Sequence, residues 1–368
     1  MDTFTQILLY SLFLACGFQI GFWIWFYFGF RKIGNESPLN KENLPPVSVI
    51  VVYKNNKNTI YNTIQSLINQ QYPTFEVIAM HDFSNDGSEL IAQKILHPKL
   101  RHLNASLDVQ GKKFALSEAI SLTKYDELLL TDGDCIPSSE NWILYMSMAL
   151  QSDVNKEIVL GYSPMRYSQG NVNTFSRYET VVTAMQYFTY AVQGWPYMGV
   201  GRNLMYTKQL FEANNGFQFG AYLPGGDDDL FIQNAANDRN VAICIDPKAH
   251  VETFAPSRWL QFFKQKQRHI STSSLYQWKH KLLLGLFGVT QIWWVLSAIL
   301  LLLYKPFIWP YVLIMVCLKW SLQYIISKSI FPKLQATTLS SRLPLLDLGM
   351  SVYLCIMAIV LPFYKRKW

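Results

Sequence analysis

The segment ELLLTDGD, residues 127–134, joins a strongly apolar run to two acidic residues. Its first part, Glu127 to Thr131, has the length and the apolar continuity of a strand buried in a parallel sheet. The strand runs directly into Asp132-Gly133-Asp134, which places two carboxylates two residues apart. Carboxylate oxygens suit a hard divalent cation such as Mg²⁺, and Gly133 lets the backbone approach closely. By itself an Asp-x-Asp is more often a solvated turn, so the neighbouring elements decide its meaning.

Two earlier stretches, VSVIVV at residues 47–52 and FEVIAM at residues 75–80, also read as buried strands. Helices are predicted between the strands, at residues 58–68, 88–96 and 115–122. This alternation indicates an open α/β fold with a mostly parallel, Rossmann-like sheet that binds ligands at the carboxyl ends of its strands. Three strand ends deliver polar groups to that edge, namely Tyr53-Lys54-Asn55, Asp82, and Asp132 with Asp134.

A second acidic cluster follows two glycines in Gly225-Gly226-Asp227-Asp228-Asp229-Leu230. Adjacent carboxylates repel one another, so we expect some of them to have raised pKa values. A raised pKa suits a general base, and Asp227 and Asp228 are the candidates. A helix N-terminus is the alternative, because acids in a first turn complement the helix dipole. Asp229 fits that role alone.

Three further segments carry cations or amides, and each has a plain alternative. Lys112 in Gly111-Lys112-Lys113 begins a predicted helix, where a lysine is unfavourable unless an anion is bound. A surface pair is the alternative there, and a simple turn is the alternative for Arg202 in the loop 199–203. Gln265 and Arg268 share one helical face, and arginine offers a bidentate fork for phosphate. A basic flank to a membrane segment is the alternative for these two residues.

The composition excludes some classes of protein. The chain has 368 residues, 50% of them hydrophobic, and 32 Lys+Arg against 25 Asp+Glu. Its charged fraction of 15% is well below the roughly 25% of soluble domains, which fits a soluble domain joined to membrane segments. The positive charge is not gathered into a stripe, so no nucleic-acid partner is expected. The five cysteines have no zinc-finger or CxxC spacing, which favours a reducing compartment.

Four segments are apolar enough to cross a bilayer, which takes roughly 20 residues. They are residues 3–30, 282–304, 307–327 and 345–364. Arg31 and Lys32 follow the first segment, and the positive-inside rule then places the middle of the chain in the cytoplasm. A cleaved signal peptide is the alternative for the first segment. Four full spans would place Lys365-Arg366-Lys367 outside, against that rule, unless one segment is re-entrant or interfacial.

The chain therefore divides into an N-terminal membrane helix at residues 1–32, a soluble α/β domain at 33–280, and C-terminal membrane or interfacial helices at 281–368. The expected location is the plasma (inner) membrane, with several spans and the soluble domain in the cytoplasm.

Read in order, these segments resemble the membrane-bound family 2 glycosyltransferases. That inverting GT-A group includes cellulose, chitin and hyaluronan synthases and ceramide glucosyltransferase. The resemblance covers about residues 45–270 together with the flanking spans. It rests on an ordered set of elements: Pro46–Val52, Asp82 in His81–Ser88, Gly111-Lys112 with Ala115-Leu116, Thr131–Cys135, Asp227 aligned on Leu230, and Gln265 with Arg268.

The resemblance implies a role for each matched residue. The donor is a nucleotide diphosphate sugar, first of all a UDP sugar, bound by Tyr53, Asp82, Lys112, Asp132, Gln265 and Arg268. Asp132 and Asp134 hold Mg²⁺ or Mn²⁺ on its diphosphate, and Asp227 is the base for a single in-line displacement with inversion. Asp228, Arg202 and His269 lie on the acceptor side. The expected acceptor is a lipid or a glycan, in cell-surface glycan synthesis.

The sequence departs from the family pattern at Gly226, where the family has Glu, and at His269, where it has Trp. The pair Tyr53-Lys54 also differs from many members. In processive synthases the Trp helps to hold the acceptor sugar, so its loss weighs against polymer synthesis more than against transfer itself. The alternatives are a processive polysaccharide synthase, a non-catalytic membrane component of polysaccharide export, and a transporter.

Overall fold

The computed structural model describes residues 2–34, 44–106, 111–221, 223 and 225–363. The polar stretch of the sequence at residues 35–44 lies outside the described residues except for Leu44. The basic residues Lys365-Arg366-Lys367 also lie outside them.

The described chain forms α-helices and strands whose bounds are as follows. The strands are β1 Val47–Tyr53, β2 Phe75–His81, β3 Leu100–Asn104, β4 Glu127–Asp132, β5 Ile136–Pro137, β6 Ile158–Gly161, β7 Leu204–Thr207, β8 Val241–Cys244 and β9 Val251–Glu252. The helices are α1 Thr3–Lys32, α2 Ile60–Ile68, α3 Ser88–Gln93, α4 Lys112–Ser121, α5 Trp142–Leu150, α6 Asn171–Val192, α7 Lys208–Ala213, α8 Asp229–Ala235, α9 Trp259–Ile270, α10 Trp278–Tyr304, α11 Trp309–Ile330 and α12 Leu343–Val360.

The main sheet of the described chain has the strand order β3-β2-β1-β4-β7-β6-β8. Its neighbours pair in parallel, except that β7 runs antiparallel to both β4 and β6. Alternate residues of β1 belong to two different cores, with Ile50 and Val52 in one and Val49 and Val51 in the other. Both faces of the sheet are therefore covered, which is why β1 is apolar throughout. The predicted α/β fold with a mostly parallel sheet is confirmed.

The three strands predicted from the sequence are present as β1, β2 and β4, but β3 was not predicted. Its residues are half-buried or exposed, and it pairs only with β2 along the described part of the sheet. Arg101 and His102 interrupt it, so it lacks the apolar run that marks a buried strand. The helix expected at 88–96 ends at Gln93. The helix expected at 115–122 begins at Lys112, the residue that was also predicted to begin a helix.

Four helical segments of the described residues are long and apolar enough to cross a membrane, by length and composition. They are Thr3–Lys32, Trp278–Tyr304, Pro306–Leu334 and Thr337–Phe363. These correspond to the four predicted segments, although the predicted last residue, Tyr364, lies outside the described chain.

Contacts between helix ends show how the four segments run. At one end of the bundle, Asp2 Oδ2 lies 3.5 Å from Lys305 Nζ, so the start of α1 meets the end of α10. At the other end, Lys333 Nζ donates to the carbonyl of Phe30 at 3.2 Å. The first three segments therefore alternate in direction along the bundle.

A polar cluster lies between α10, α11 and α12. Lys319 Nζ lies 2.6 Å from Asp347 Oδ2, and the two side chains are 0% and 2% exposed. Gln291 and Gln323 donate to Oδ1 of Asp347 at 3.1 and 3.2 Å, and Trp320 Nε1 donates to its Oδ2 at 3.1 Å. Each carboxylate oxygen thus has at least two donors, which is how a buried charge is tolerated among apolar helices.

Candidate active site

The carboxyl ends of β1 and β4 meet tightly at the first acidic motif. The N–H of Gly133 donates to the carbonyl of Val52 at 3.2 Å. A Cβ on Gly133 would lie 2.5 Å from the Cβ of Tyr53 and 2.8 Å from Oδ1 of Asn56, which is closer than such atoms pack. Glycine therefore lets the turn after β4 lie directly against the end of β1.

Asp132, Asp134 and Cys135 form a compact group of possible metal ligands, with one ligand atom of each within 4.8 Å of the others. Burial and the charge of Asp132 raise the pKa of Asp134. The Cys135 thiol donates to Oδ1 of Asp134 at 3.4 Å, and burial raises its own pKa well above the ordinary value. The thiol therefore stays protonated, and the carboxylate oxygens are the suitable ligands for a hard cation.

Lys112 joins the two acidic motifs. Its Nζ lies 2.8 Å from Oδ1 of Asp132 and 2.8 Å from Oδ2 of Asp227. Burial works against the ammonium charge, but the two carboxylates hold its pKa well above the ordinary value. A lysine at the start of a helix was expected to have an anion beside it, and in α4 those anions are the carboxylates of Asp132 and Asp227. The neighbouring Lys113 is buried and donates to the carbonyl of Gly220 at 2.8 Å, so a surface pair is wrong here.

Asp227 and Asp228 have different electrostatic surroundings. Burial favours the neutral form of Asp227, but the adjacent Lys112 ammonium holds its pKa below the ordinary value. Burial and the charges of Asp227 and Asp229 raise the pKa of Asp228 to about 7. The raised pKa expected in this cluster therefore falls on Asp228 and Asp229 and not on Asp227.

Asp229 begins α8, as its predicted role at a helix start requires. Its Oδ2 also accepts hydrogen bonds from the hydroxyl of Tyr276, at 2.6 Å, and from the hydroxyl of Thr272. Asp229 therefore ties the acidic cluster to the segment that leads into α10.

Gly226 has a φ of +93°, in the left-handed region, and a Cβ there would lie 2.6 Å from Cδ1 of Leu230. A glutamate at this position would be strained by both the backbone and the contact. The departure from the family pattern at Gly226 thus goes with a turn that requires glycine.

The glycine-rich loop 199–203 belongs to the site. The N–H of Gly201 donates to Oδ2 of Asp228 at 3.0 Å. Arg202 Nε donates to the hydroxyl of Ser163 at 2.6 Å. Asn203 is fully buried and donates to the carbonyls of Tyr162 and Ala249, so it anchors the loop.

Helix α9 supplies Gln265, Arg268 and His269 to the same cavity as the acids. The residue between them, Lys266, forms an ion pair with Glu179 of α6, and each side chain is 9% exposed. No role was predicted for either residue from the sequence. Its partners are 87 residues apart, and neither has a local signal that distinguishes it from a surface charge.

Tyr53 and Asp82 lie at the carboxyl ends of β1 and β2. Neither lines the cavity that contains the acids and the residues of α9. Asp82 is 3% exposed, with Lys54 Nζ 3.7 Å from its Oδ2 and the N–H of Gly111 donating to its Oδ1 at 3.4 Å. Tyr53 is 2% exposed and its ring packs on His81, while its carbonyl accepts from the N–H of Asp82. Tyr53 therefore positions Asp82 and does not present its ring to a ligand.

A cavity of about 510 Å³ collects most of the predicted site residues. Of those residues it is lined by Lys112, Asp132, Asp134, Arg202, Asp227, Asp228, Gln265, Arg268 and His269. The lining continues to α10 and α12, where Leu284, Phe287, Gly288, Met350, Tyr353 and Leu354 contribute. The cavity therefore joins a charged end at the sheet to an apolar end among the membrane helices.

Comparison with known proteins gives the same family for the domain. Residues 48–213 match the family model described as Glycosyl transferase family 2. Poly-beta-1,6-N-acetyl-D-glucosamine synthase of Staphylococcus epidermidis is 28% identical over 142 residues, which is 37% of this chain and 34% of that protein. The synthase of the same name from Staphylococcus aureus strain MW2 has the same identity and coverage. The matched part thus spans about a third of the length of these curated relatives.

Among solved structures, the chain is similar to the mannosyltransferase PcManGT from Pyrobaculum calidifontis, in complex with GDP-Man and Mn²⁺. The TM-score is 0.60 at 15% identity, over 97% of this chain and 99% of that one. At this identity the similarity shows a shared fold, and it extends over the apolar helices as well as the α/β domain. The ordered strands, the two acidic motifs and the matched family model agree: residues 48–213 of this chain form a domain that matches glycosyl transferase family 2.

Proposed function

We propose that the protein is an inverting glycosyltransferase that moves a sugar from a nucleotide diphosphate sugar to an acceptor hydroxyl. The observation that carries this proposal is the contact of Lys112 with both Asp132 and Asp227, at 2.8 Å each, inside one cavity. Lys112 lies between Asp132, which ends β4, and Asp227 of the second acidic cluster. An anionic diphosphate and an acceptor hydroxyl would therefore meet beside its ammonium group.

Asp132 and Asp134 would hold Mg²⁺ or Mn²⁺. Apart from the Glu179–Lys266 pair, the cavity is lined by five aspartates and by the cations Lys112, Arg202 and Arg268, so a divalent ion would offset the excess negative charge. When bound, such an ion neutralises charge that develops on the leaving diphosphate. The presence of Mn²⁺ in the mannosyltransferase of similar fold supports testing both ions.

The proposed reaction is one displacement with inversion. The acceptor oxygen forms a bond to the anomeric carbon while the bond from that carbon to the diphosphate oxygen breaks, and the nucleoside diphosphate leaves with the electron pair. Asp227 takes the proton of the acceptor hydroxyl. An anionic diphosphate near Lys112 would compete for its ammonium, which would weaken the ion pair and raise the proton affinity of Asp227.

The donor would be held from two sides. Lys112, Gln265 and Arg268 would contact the diphosphate, because they carry donors into the cavity. Asp82, positioned by Tyr53, would bind the nucleoside. We expect a UDP sugar, and the GDP-Man in the mannosyltransferase structure makes GDP sugars the first comparison.

The charges at the two ends of the helical bundle support a cytoplasmic α/β domain. On the domain side lie Arg31, Lys32, Lys279, Lys281, Lys333 and Arg342, whereas Asp2 and Lys305 lie on the other side. By the positive-inside rule the domain side is cytoplasmic, in a plasma (inner) membrane.

A processive polysaccharide synthase is the second candidate. The name shared by the curated relatives, poly-beta-1,6-N-acetyl-D-glucosamine synthase, supports it. His269 in place of the family's Trp weighs against it. The length of the product on gels separates the two, because a single transfer adds one sugar per acceptor.

A screen of nucleotide sugars tests the proposal. Purified protein is incubated with each donor and with Mg²⁺, Mn²⁺ or a chelator, and the released nucleoside diphosphate is measured. Metal-dependent release from one donor class is the expected result. No binding and no release with any donor would overturn the proposal and favour a non-catalytic component of polysaccharide export.

A further inference from the structure

We propose that the acceptor is a membrane lipid whose head group is uncharged and carries the reacting hydroxyl. This inference rests on the proposed glycosyl transfer and adds the class of its acceptor. The hydroxyl would reach Asp227 at the charged end of the cavity, and the hydrocarbon chains would lie at the end formed by α10 and α12.

The lining of the cavity changes from charged to apolar along its length. The acids Asp227 and Asp228 line the end at the sheet. Val182, Tyr353, Leu284, Phe287 and Leu354 line the part between α6, α10 and α12. Phe287 and Tyr353 belong to helices that are long and apolar enough to span a membrane. An acceptor that fills such a cavity needs a polar head and an apolar tail, which a free sugar does not have.

The charges near the apolar end argue against an anionic head group. Among the described residues that line the cavity, Glu179 and Lys266 are the charged pair beside this end, and they neutralise each other at hydrogen-bond distance. Both side chains are 9% exposed, so the ammonium has little access to solvent or to a second anion. A lipid phosphate would have to displace the Glu179 carboxylate, which would remain buried without its partner. A neutral hydroxylated head leaves the pair intact.

Open space beside α10 shows where the tail would lie. Gly288 lines the cavity, and a Cβ built on it would meet no atom within 4 Å. Gly285, on the same helix, also has no atom within 4 Å, but it is exposed on the outside and does not line the cavity. A larger side chain is therefore tolerated by the packing at both positions and would fill the cavity at only one of them.

The test compares Gly288→Leu with Gly285→Leu in detergent or nanodiscs, using the donor found in the screen. The acceptors are a monoglycosyl diacylglycerol, the same sugar without its lipid, and a polyprenyl phosphate. We expect transfer to the neutral glycolipid to exceed transfer to either of the others by at least tenfold. Gly288→Leu should lose at least tenfold in this transfer, whereas Gly285→Leu should match the wild type.

Glu179→Gln provides a second, independent measurement. It releases Lys266 from its partner and adds positive charge beside the head group. The ratio of transfer to the polyprenyl phosphate over transfer to the neutral glycolipid should therefore rise about tenfold. An unchanged ratio would contradict the role of the pair in selecting an uncharged head.

The inference is overturned if the wild type prefers the polyprenyl phosphate, if the free sugar is as good an acceptor as its lipid, or if both glycine variants transfer equally well. Donor binding and nucleoside diphosphate release without acceptor are measured in parallel. If the protein binds the donor and releases the nucleoside diphosphate but prefers another acceptor, only the proposed acceptor class is rejected. If it neither binds the donor nor releases the nucleoside diphosphate, the glycosyltransferase proposal itself is rejected.

Discussion

At the scale of single residues, Asp227 and Asp228 are adjacent in sequence but differ in charge environment. Lys112 lies 2.8 Å from Asp227 and holds its pKa low, whereas Asp228 is surrounded by other acids and accepts only from backbone N–H groups among the described contacts. The motif alone does not distinguish them, because the distinction comes from a lysine on a different helix.

Replacement of Asp227 by Asn should abolish sugar transfer while donor binding persists. The amide cannot take the acceptor proton, and general bases contribute about 10²–10⁴-fold to rate, so we expect a loss in that range or larger. Transfer and donor affinity are measured on the same preparation. Full activity in Asp227→Asn would reject this residue as the base.

Replacement of Asp228 by Asn should stabilise the metal-free protein more at pH 8 than at pH 5. The folded protein holds the proton of Asp228 up to about pH 7, whereas the unfolded chain loses it near the ordinary value of 3.8. The free energy of unfolding of the wild type therefore falls as the pH rises. The amide of the Asp228→Asn variant does not titrate, so this fall is absent from its contribution. We expect a gain of roughly 1 kcal/mol or more, discounted from about 1.4 kcal/mol per pKa unit for partial solvation.

Thermal unfolding in a chelating buffer across this pH range measures the effect. A variant whose stability falls in parallel with that of the wild type between pH 5 and pH 8 would contradict the raised pKa of Asp228.

At the scale of elements, Asp229 links the start of α8 to the segment before α10. Its carboxylate accepts from Thr272 and Tyr276, which follow α9 in the chain. The acidic cluster, the helix that carries Arg268 and the first C-terminal membrane helix are thus held by one buried carboxylate. The short sequence between α9 and α10 gives no sign of this, because serine, threonine and tyrosine are ordinary residues of a turn.

Tyr276→Phe should destabilise the protein by about 1–3 kcal/mol, because it removes one of the donors to a buried carboxylate. Tyr190→Phe is the matched control. Both tyrosines are buried, but the hydroxyl of Tyr190 has no hydrogen-bond partner among the described residues, so its loss should be neutral or slightly stabilising. Chemical unfolding of the two variants side by side gives the comparison, and equal effects would remove the special role of the Asp229 contact.

At the scale of the whole molecule, the α/β domain and the helical bundle form one continuous structure. Helix α1 packs along α10, as in the edge-to-face contact of Phe22 with Phe287. It also packs on α6, where the ring centroids of Trp25 and Tyr190 are 4.8 Å apart. The cavity is built from both parts, so its apolar end depends on how α10 and α12 are held together. The buried pair Lys319–Asp347 lies in that bundle.

Lys319→Met should destabilise the bundle by about 3–5 kcal/mol, because the carboxylate of Asp347 would remain buried without its cation. The double variant Lys319→Met with Asp347→Leu should recover most of this loss, since an apolar pair of similar size has no uncompensated charge. Thermal unfolding in detergent measures both. A double variant less stable than the single one would show that the glutamine and tryptophan contacts of Asp347 matter more than its charge.

The α/β class, the strands around the first acidic motif and the four apolar helices could be predicted from the sequence. Each of these follows from local physical chemistry. A continuous apolar run of six residues excludes an exposed strand, and an apolar stretch of more than about 20 residues has few alternatives to a membrane span. Asp132 and Asp134 could also be found because they follow an apolar strand, and Asp227 and Asp228 because they follow two glycines.

The pairing of charged side chains could not be predicted from the sequence. Lys112 lies between Asp132 and Asp227, Glu179 neutralises Lys266, and Lys319 lies beside Asp347, with the last two pairs 87 and 28 residues apart in the chain. Coulomb interactions and desolvation depend on distance and burial, which no local pattern specifies. The same reason explains why β3, the low pKa of Asp227 and the continuity of the cavity with the membrane helices became visible only in the folded chain.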